Sequence, residues 1–397
     1  MSLLRPRLAL VLGVLFGCNI YDPSLLTSVS DAGPSGDAPY DACTAMCNGK
    51  CTDSLADPNN CGACGRTCEG DCKGGVCAPT VLAQSRFGPR GIVVDATSFY
   101  ITNHGSVSIE TGSKVDGSGL TIVEGQAVFP ESLVLDGSNI YWTNNSNLLG
   151  YVGQVPSFGG KYYSMAKDLP SPTGLAVDST NFYVTTGSPN LSPVPCTATS
   201  WVNAVISCSK TTGCYSVGCA SGGGPNVIAS DTVRPTGVAV DGSTLFWTSR
   251  AGKYLKRCAL PACTAPEIVI SGLGGPTDVR VAGGYVYVAD TDGGSVLRCP
   301  TSGQCATPKV IVNKQADPLM LAVDATSVYF TNFAKGVSGA GTVVRCTLPD
   351  CPGGPAVLAK NGNGPWGLTV DEAYLYWVEE GSAGENSTDG LVLRVKK

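Results

Sequence analysis

The chain contains seven copies of one short pattern, and this repeat constrains the fold more than any other feature of the sequence. Each copy begins with a proline, continues through an apolar run, makes a turn and leads into an aromatic-rich segment. The prolines are separated by 41, 42, 63, 41, 42 and 47 residues. They are Pro89, Pro130, Pro172, Pro235, Pro276, Pro318 and Pro365.

A period near forty residues with several short strands per unit is typical of a β-propeller. The composition agrees, because the chain has 51 Gly, 26 Pro and only 14% charged residues, which favours strands and turns over long amphipathic helices. We therefore predict an all-β fold: a seven-bladed β-propeller over residues 80–397, preceded by a small disulfide-rich module.

Two positions inside the repeat are predicted to be structural. An Asp six residues after the proline should satisfy the turn that ends the first strand; only the fifth copy departs, with Ala282. An aromatic ring eleven residues after the proline should pack between neighbouring blades. These residues are Asp95, Asp136, Asp178, Asp241, Asp324 and Asp371, with Tyr100, Tyr141, Tyr183, Phe246, Tyr287, Tyr329 and Tyr376.

The ends of the chain predict how the ring closes. The seventh copy stops after its third strand at Lys397, and the segment 80–84 resembles the fourth-strand segment 356–360. Closing a blade with strands from both termini removes an exposed sheet edge. The repeat resembles NHL, YVTN and TolB-like propellers over about 310 residues. That resemblance implies fold and little function, because unrelated activities share it.

Cysteines of the propeller follow the third strands and are predicted to staple the hairpins that lead to the fourth strands. By elimination, the two cysteines left over in the third blade form a further pair. The predicted pairs are Cys208–Cys214, Cys258–Cys263, Cys299–Cys305, Cys346–Cys351 and Cys196–Cys219.

The N-terminus has the features of an export signal. Arg5 and Arg7 precede an apolar run of nine residues, 8–16, which is too short to span a bilayer and is followed by Gly17 and Cys18. Residues 15–18 resemble the lipobox of bacterial lipoproteins, which implies cleavage after residue 17 and acylation of Cys18. Asn19 favours the outer membrane of a Gram-negative bacterium over the inner one. The alternative is an ordinary cleaved signal with an incidental cysteine. Residues 18–42 read as a flexible tether.

Eight cysteines fall within residues 43–79, where so short a segment cannot bury a sufficient core. The spacing around Asn60-Cys61-Gly62 and Cys64-Gly65 resembles the Stig1-like cysteine-rich repeat, which implies extracellular contacts. Four disulfides are predicted, with the pairing left open; zinc on Cys61 and Cys64 is the weaker alternative. The whole assembly resembles exported lipoproteins of myxobacteria. The eight are Cys43, Cys47, Cys51, Cys61, Cys64, Cys68, Cys72 and Cys77.

The charge and the residue counts narrow the function classes. The net charge is −5 and no basic patch is visible, so nucleic acid is not an expected partner. Nineteen cysteines argue for an oxidising compartment. There is a single histidine, His104, and no nucleophile-elbow motif, so the sequence favours a protein that is not an enzyme.

Loops that enter the first strand and leave the second strand should share one face of the ring. The long loops 187–201, 333–341 and 380–390 lie there, and variable loops on a rigid ring are the usual place for recognition. We expect this face to bind an envelope protein or a polysaccharide. The candidate ligand-binding residues outside the repeat are Arg90, Asn103, His104, Glu131, Asn144, Arg250, Asp290, Asn332, Trp366 and Glu379.

One enzymatic alternative stays open. Some propeller lactonases and related hydrolases hold Ca²⁺ in the central funnel through Glu, Asn and Asp oxygens. In this sequence such oxygens would come from Glu131, Asn103, Asn144, Asp290 and Asn332. No catalytic residue and no other cofactor is predicted.

Overall fold

The computed structural model describes residues 43–145, 150–187, 202–214, 225–230, 233–303 and 305–397. The predicted signal segment 1–17, the lipidation site Cys18 and the tether 18–42 lie outside the described residues. So do most of the loop 187–201 and the predicted pair Cys196–Cys219. Residues Cys43–Lys397 form one compact unit.

Seven four-stranded antiparallel sheets make up the ring, and each begins at one of the seven prolines. This confirms the predicted seven-bladed β-propeller. The strands of each blade, from the central axis outwards, are Pro89–Val94, Ser98–Asn103, Ser108–Ser113 and Thr121–Glu124; Pro130–Asp136, Asn139–Asn144, Gly150–Pro156 and Tyr163–Leu169; Pro172–Val177, Asn181–Thr186, Val205–Ser209 and Asn226–Ala229; Pro235–Asp241, Thr244–Ser249, Tyr254–Ala259 and Glu267–Ser271; Pro276–Ala282, Tyr285–Asp290, Ser295–Pro300 and Lys309–Val312; Pro318–Val323, Ser327–Asn332, Gly341–Thr347 and Ala356–Gly362; and Pro365–Val370, Tyr374–Glu379, Gly390–Lys396 and Thr80–Arg86.

The last of these blades confirms the predicted closure of the ring. Its third strand comes from the C-terminus and its fourth strand from residues 80–86, with Arg394 opposite Thr80 and Gly390 opposite Arg86. The two ends of the propeller are therefore joined within one sheet, which leaves no unpaired edge at the junction.

The recurring aromatic residue packs between blades, as predicted. Tyr100 of the first blade lies in one core cluster with Leu133, Ile140 and Trp142 of the second. The same arrangement recurs around the ring, through to Tyr376 of the seventh blade, which packs on the first. Each blade thus completes its core with the next one, so that no blade is a separate folding unit.

The recurring Asp satisfies its turn, also as predicted. One oxygen of Asp95 accepts hydrogen bonds from the backbone N–H groups of Thr97 and Ser98, and the other accepts one from the Tyr100 hydroxyl at 2.7 Å. The Asp–Tyr hydrogen bond recurs in the third, sixth and seventh blades. The pattern therefore links two of the repeat's fixed positions.

A threonine near the end of the second strand ties each of five blades to the next. In the fourth blade, Thr248 Oγ1 accepts from the Gly237 N–H at 2.9 Å and lies 3.3 Å from the carbonyl oxygen of Thr277 in the fifth blade. This role is not among those predicted from the sequence, although the threonine stands at a fixed distance from the proline. The five are Thr102, Thr143, Thr185, Thr248 and Thr331.

The fifth blade makes its link to the sixth with other residues. It has Ala289 where the threonine would stand, and Asp278 where four other blades have Gly. The fully buried Asp278 accepts from the N–H of Leu321 at 2.8 Å, and Arg280 Nε donates to the carbonyl oxygen of Leu321 at 3.0 Å. Arg280 Nε also lies 3.2 Å from Asp278 Oδ2.

All four described staples of the propeller agree with the predicted pairs. They are Cys208–Cys214, Cys258–Cys263, Cys299–Cys305 and Cys346–Cys351. The last three close the hairpins between third and fourth strands. Cys208–Cys214 closes the turn that follows the third strand of the third blade.

In the N-terminal module all eight cysteines form disulfides, which leaves no thiolate there for the zinc alternative. The pairs are Cys43–Cys51, Cys47–Cys64, Cys61–Cys72 and Cys68–Cys77. Two short hairpins, Ala45–Cys47 with Lys50–Thr52 and Cys72–Lys73 with Val76–Cys77, complete the module. With eight disulfides among the described residues, the protein is suited to an extracytoplasmic compartment.

The module packs on the sixth and seventh blades. Cys61, Cys72 and Cys77 belong to the same core cluster as residues of these blades. Glu69 pairs with Arg394 at 3.0 Å and accepts a hydrogen bond from the Tyr374 hydroxyl. Both partners lie towards the end of the blade where the first strand turns into the second. Within the described residues no helix has the length and apolarity needed to cross a membrane.

Candidate functional site

The first strands of all seven blades enclose a central funnel of about 350 Å³. We call the end where first strands begin and second strands end the upper end. Four of the seven blades have Gly two residues after the proline, which allows neighbouring first strands to approach closely. A Cβ at Gly367 would lie 2.2 Å from the carbonyl oxygen of Arg90 in the next blade. The funnel is therefore narrow, and its wall is fixed by backbone contact.

Arg90 is the centre of a buried charge cluster at the upper end. Its guanidinium donates to Glu131 at 2.9 Å and to Glu380 at 2.8 and 3.0 Å. Burial favours the neutral guanidine, but Glu131 and Glu380 outweigh it and raise the pKa of Arg90. The blades on either side of the first blade thus supply one carboxylate each, and both of them contact the same cation.

Aromatic rings cover this cluster. The guanidinium carbon of Arg90 lies 4.6 Å from the centre of the Trp366 ring, and the Phe333 ring meets Trp366 edge-on at 5.1 Å. The His104 ring lies 5.1 Å from Phe129, with Nδ1 3.4 Å from Arg90 and 3.7 Å from Glu131. Cation–π contact and ion pairing hold Arg90 in one place, so the upper end presents a preorganised surface.

The ten candidate residues fall into two groups. Arg90, Glu131, Arg250 and Trp366 line the funnel, and His104 contacts two of them. The other five each end a second strand and stand opposite the proline of their own blade. They are therefore equivalents of one repeat position rather than independent loop residues: Asn103, Asn144, Asp290, Asn332 and Glu379.

At two of these positions the side chain bonds to the loop that enters its own blade. Asp290 accepts from the N–H groups of Gly274 and Gly275, in the loop that enters the fifth blade. Glu379 accepts a hydrogen bond from the Asn363 N–H. Burial raises the pKa of Glu379, although the hydrogen bonds from that N–H and from the Trp377 indole act to lower it. In both residues the carboxylate orders the loop that enters its own blade.

The calcium alternative requires five oxygens in one place. Of its candidate ligands, only Glu131 lines the funnel, and its Oε2 contacts Arg90. Both oxygens of Asp290 are engaged by backbone N–H groups. Both carboxylates of the set are thus engaged, whereas Oδ1 of Asn103, Asn144 and Asn332 is buried without a hydrogen-bond partner. The carboxylates of the described residues therefore do not support the calcium alternative. Among them, only Cys61, Cys68 and Cys77 form a cluster of potential metal ligands drawn from His, Cys, Asp and Glu, and these sulfurs are in disulfides.

Three features of the upper end escaped sequence analysis. Arg90 contacts Glu380 rather than Glu379. Successive residues of a strand face opposite sides, and this alternation is a signal for which of the two glutamates faces Arg90. Phe129 and Arg234 directly precede the first-strand prolines of their blades, and both have left-handed backbones, with φ of 50° and 47°. The same left-handed backbone recurs at this position in the first, third, sixth and seventh blades, at Gly88, Ser171, Asp317 and Gly364.

Comparison with known proteins supports the fold. No family model matches the chain, and no curated protein matches it. Among solved structures, a streptogramin B lyase superposes with a TM-score of 0.59 at 12% identity, covering 81% of this chain and 97% of that one. The virginiamycin B lyase of Staphylococcus aureus gives 0.58 at 16% identity, with 79% and 97% covered.

The WD40 propeller of Doa1 gives a TM-score of 0.55 at 11% identity and covers 81% of this chain and 97% of that one. A lyase and a WD40 propeller therefore fit equally well. At these identities the likeness concerns architecture alone, and the chain is a seven-bladed β-propeller with a disulfide-rich N-terminal module.

Proposed function

We propose that this protein is an extracytoplasmic binding protein that recognises a protein of the cell envelope with the upper end of its propeller. In this proposal Cys18 is lipidated and residues 18–42 tether the folded part to the outer membrane. The observation that carries the proposal is an exposed aromatic surface around the buried Arg90 cluster. We call it the upper rim; it comprises Phe87, Val128 and Phe129.

The side chains of this surface are accessible to solvent. Phe87, Val128 and Phe129 have 45%, 42% and 46% of their surface accessible. All three stand within two residues of a first-strand proline, next to Arg90 and His104. Protein interfaces are enriched in aromatic residues and arginine, and their strongest contacts are of these types. The rim therefore favours a protein partner over a polysaccharide.

The left-handed backbone of Phe129 belongs to the repeat, although a bulky residue in this conformation is strained by roughly 1–3 kcal/mol. The equivalent residues of five other blades also have positive φ: Gly88, Ser171, Arg234, Asp317 and Gly364. A phenylalanine that is half exposed contributes little to the core, which is consistent with a role in recognition.

Placement of the module is compatible with this role. It packs on the sixth and seventh blades towards the end opposite the upper rim, through Glu69 and Arg394. The described part of the module therefore packs away from the upper rim.

The test compares three forms of the full chain as bait for solubilised envelope proteins of the organism that makes it. The double variant Phe87→Asp/Phe129→Asp removes the rim. The matched control is Phe158→Asp, since Phe158 is 83% exposed in a hairpin at the opposite end. We expect one protein to bind the wild type and the control, and to bind the rim variant at least about tenfold more weakly.

A further variant separates recognition from folding. Phe129→Gly relieves the positive φ, so its melting temperature should equal or exceed that of the wild type while binding falls. A partner that binds all three forms equally would overturn the assignment to the rim. Retention that survives protease treatment of the prey but not periodate oxidation would point to a polysaccharide instead.

A further inference from the structure

The charges that line the funnel are balanced except on one side. Arg90 is matched by Glu131 and Glu380, and Arg280 by the buried Asp278. The remaining lining cations are Arg234 and Arg250, both in the fourth blade. Excess positive charge therefore lies at one place in a protein whose net charge is −5.

These two arginines are neighbours across a strand pair. Pro235 pairs with Ser249, and Arg234 and Arg250 are the next residues on the upper side of that pair. Arg250 contacts Asp292, but both side chains are about half exposed, at 49% and 46%. Arg250 donates to both oxygens of Asp292, at 3.1 and 2.7 Å, so a bound anion would share Arg250 with this carboxylate. No carboxylate of the described residues lies within ion-pair distance of Arg234.

The backbone of Arg234 has φ of 47°, in the left-handed region. The equivalent residues of five other blades share this conformation, so it belongs to the repeat: Gly88, Phe129, Ser171, Asp317 and Gly364. What distinguishes Arg234 is its positive charge, which a bound anion would offset.

An apolar part of the funnel wall faces these two arginines. Leu319, Met320 and Trp366 line the opposite side, on the sixth and seventh blades. A volume of about 350 Å³ is at the lower end of the range for small-molecule sites and too small for a folded partner. The planar fork of an arginine matches a carboxylate in bidentate geometry.

From this arrangement we propose that the funnel binds a small organic carboxylate with an apolar body. The carboxylate lies between Arg234 and Arg250, and the body packs on Leu319, Met320 and Trp366. This site is distinct from the upper rim, whose residues belong to the loops that enter the first and second blades. It holds or fails independently of the proposed protein partner.

The experiment titrates the full chain with 2-naphthoate and with 2-naphthalenemethanol, its uncharged counterpart, by calorimetry. The wild type should bind the carboxylate at least about tenfold more tightly than the alcohol, because two charge-assisted hydrogen-bond partners distinguish them. Arg234→Gln/Arg250→Gln should abolish this preference while binding of the alcohol changes little. Both residues are on the surface, so the variant should keep the wild-type melting temperature.

The matched control is Lys309→Gln/Lys314→Gln, which removes the same number of charges outside the funnel lining. It should retain the preference for naphthoate, which excludes a general effect of net charge. The proposal is overturned if the wild type shows no saturable binding of naphthoate, or if the arginine variant binds it as well as the wild type does. A carboxylate preference lost equally in the lysine variant would also overturn it.

Discussion

The fifth blade and the regular blades solve the same structural problem with different residues. In a regular blade such as the fourth, a neutral hydroxyl of Thr248 connects two first strands. In the fifth blade a buried carboxylate, Asp278, and the adjacent Arg280 make that connection. A repeat can therefore lose a fixed residue without losing the contact, provided that a neighbouring position replaces it.

The two arrangements differ in how strongly the stability of the ring depends on each of their residues. Asp278 is fully buried; burial raises its pKa, while Arg280 and two backbone N–H groups oppose that rise. A charged group in this position is stable only while all its partners are present. The threonine needs two hydrogen bonds and no charge. The fifth blade is therefore the more sensitive part of the ring to a single substitution.

The largest expected effect is that of Asp278→Ala. It leaves Arg280 without its carboxylate and the Leu321 N–H without an acceptor, so we expect the free energy of unfolding to fall by about 3 kcal/mol. Urea denaturation, followed by tryptophan fluorescence, measures the change. A loss below about 1 kcal/mol would show that Asp278 does not replace the threonine contact.

Restoring the regular pattern sharpens this prediction. The variant Asp278→Gly/Arg280→Ala/Ala289→Thr gives the fifth blade the residues that the fourth blade has at these positions. Its new threonine should bond as Thr248 does, and it should recover most of the stability that Asp278→Ala loses. If the triple variant is no more stable than Asp278→Ala, the two arrangements are not equivalent.

A smaller effect is expected in a regular blade. Thr248→Val keeps the shape of the side chain but removes the acceptor of the buried Gly237 N–H, which should cost about 1–2 kcal/mol. Val378 at the equivalent position of the seventh blade shows that valine fits there. Thr248→Ser, which keeps the hydroxyl, should lose less. Equal losses in the two variants would assign the effect to packing of the methyl group instead.

Much of this ring could be predicted from the sequence because its determinants recur. Blade number, strand order, closure by residues 80–86 and four disulfides follow from fixed spacings. The role of Thr248 also had a signal, since five blades carry threonine at that distance from the proline. The replacement by Asp278 had none, because it occurs once and acts through a different strand position.

The candidate site could be predicted only in part, because its residues depart from the repeat. Arg90 and Glu131 stand out because neither suits the repeat position that they occupy, and both do line the funnel. The contact of Glu380 with Arg90 and the position of Arg234 depend on the direction in which a loop residue points its side chain. Left-handed backbone at Arg234 cannot be read from its own identity. Position in a repeat predicts structure well, whereas departures from it are clear only in three dimensions.

The smallest effect concerns a carboxylate that the fifth blade lacks. Asp371 of the seventh blade forms an ion pair with Lys114 of the first blade, at 2.9 Å. The fifth blade has Ala282 at the position equivalent to Asp371. Partial burial favours the neutral acid. The Lys114 ammonium, two backbone N–H groups and the Tyr376 hydroxyl outweigh it and lower the pKa of Asp371 to about 2.

Because the folded pKa of Asp371 lies below the ordinary value near 4, its contribution to stability is complete above about pH 4 and is lost as the pH falls towards 2. Asp371→Asn should therefore destabilise the ring by about 1 kcal/mol at pH 7 and by progressively less below pH 4. Melting temperatures of the two proteins, measured between pH 7 and pH 2, should converge. A difference that is constant over this range would mean that the hydrogen bonds of the turn, rather than the charge facing Lys114, account for it. In that case the missing carboxylate of the fifth blade would have no electrostatic consequence.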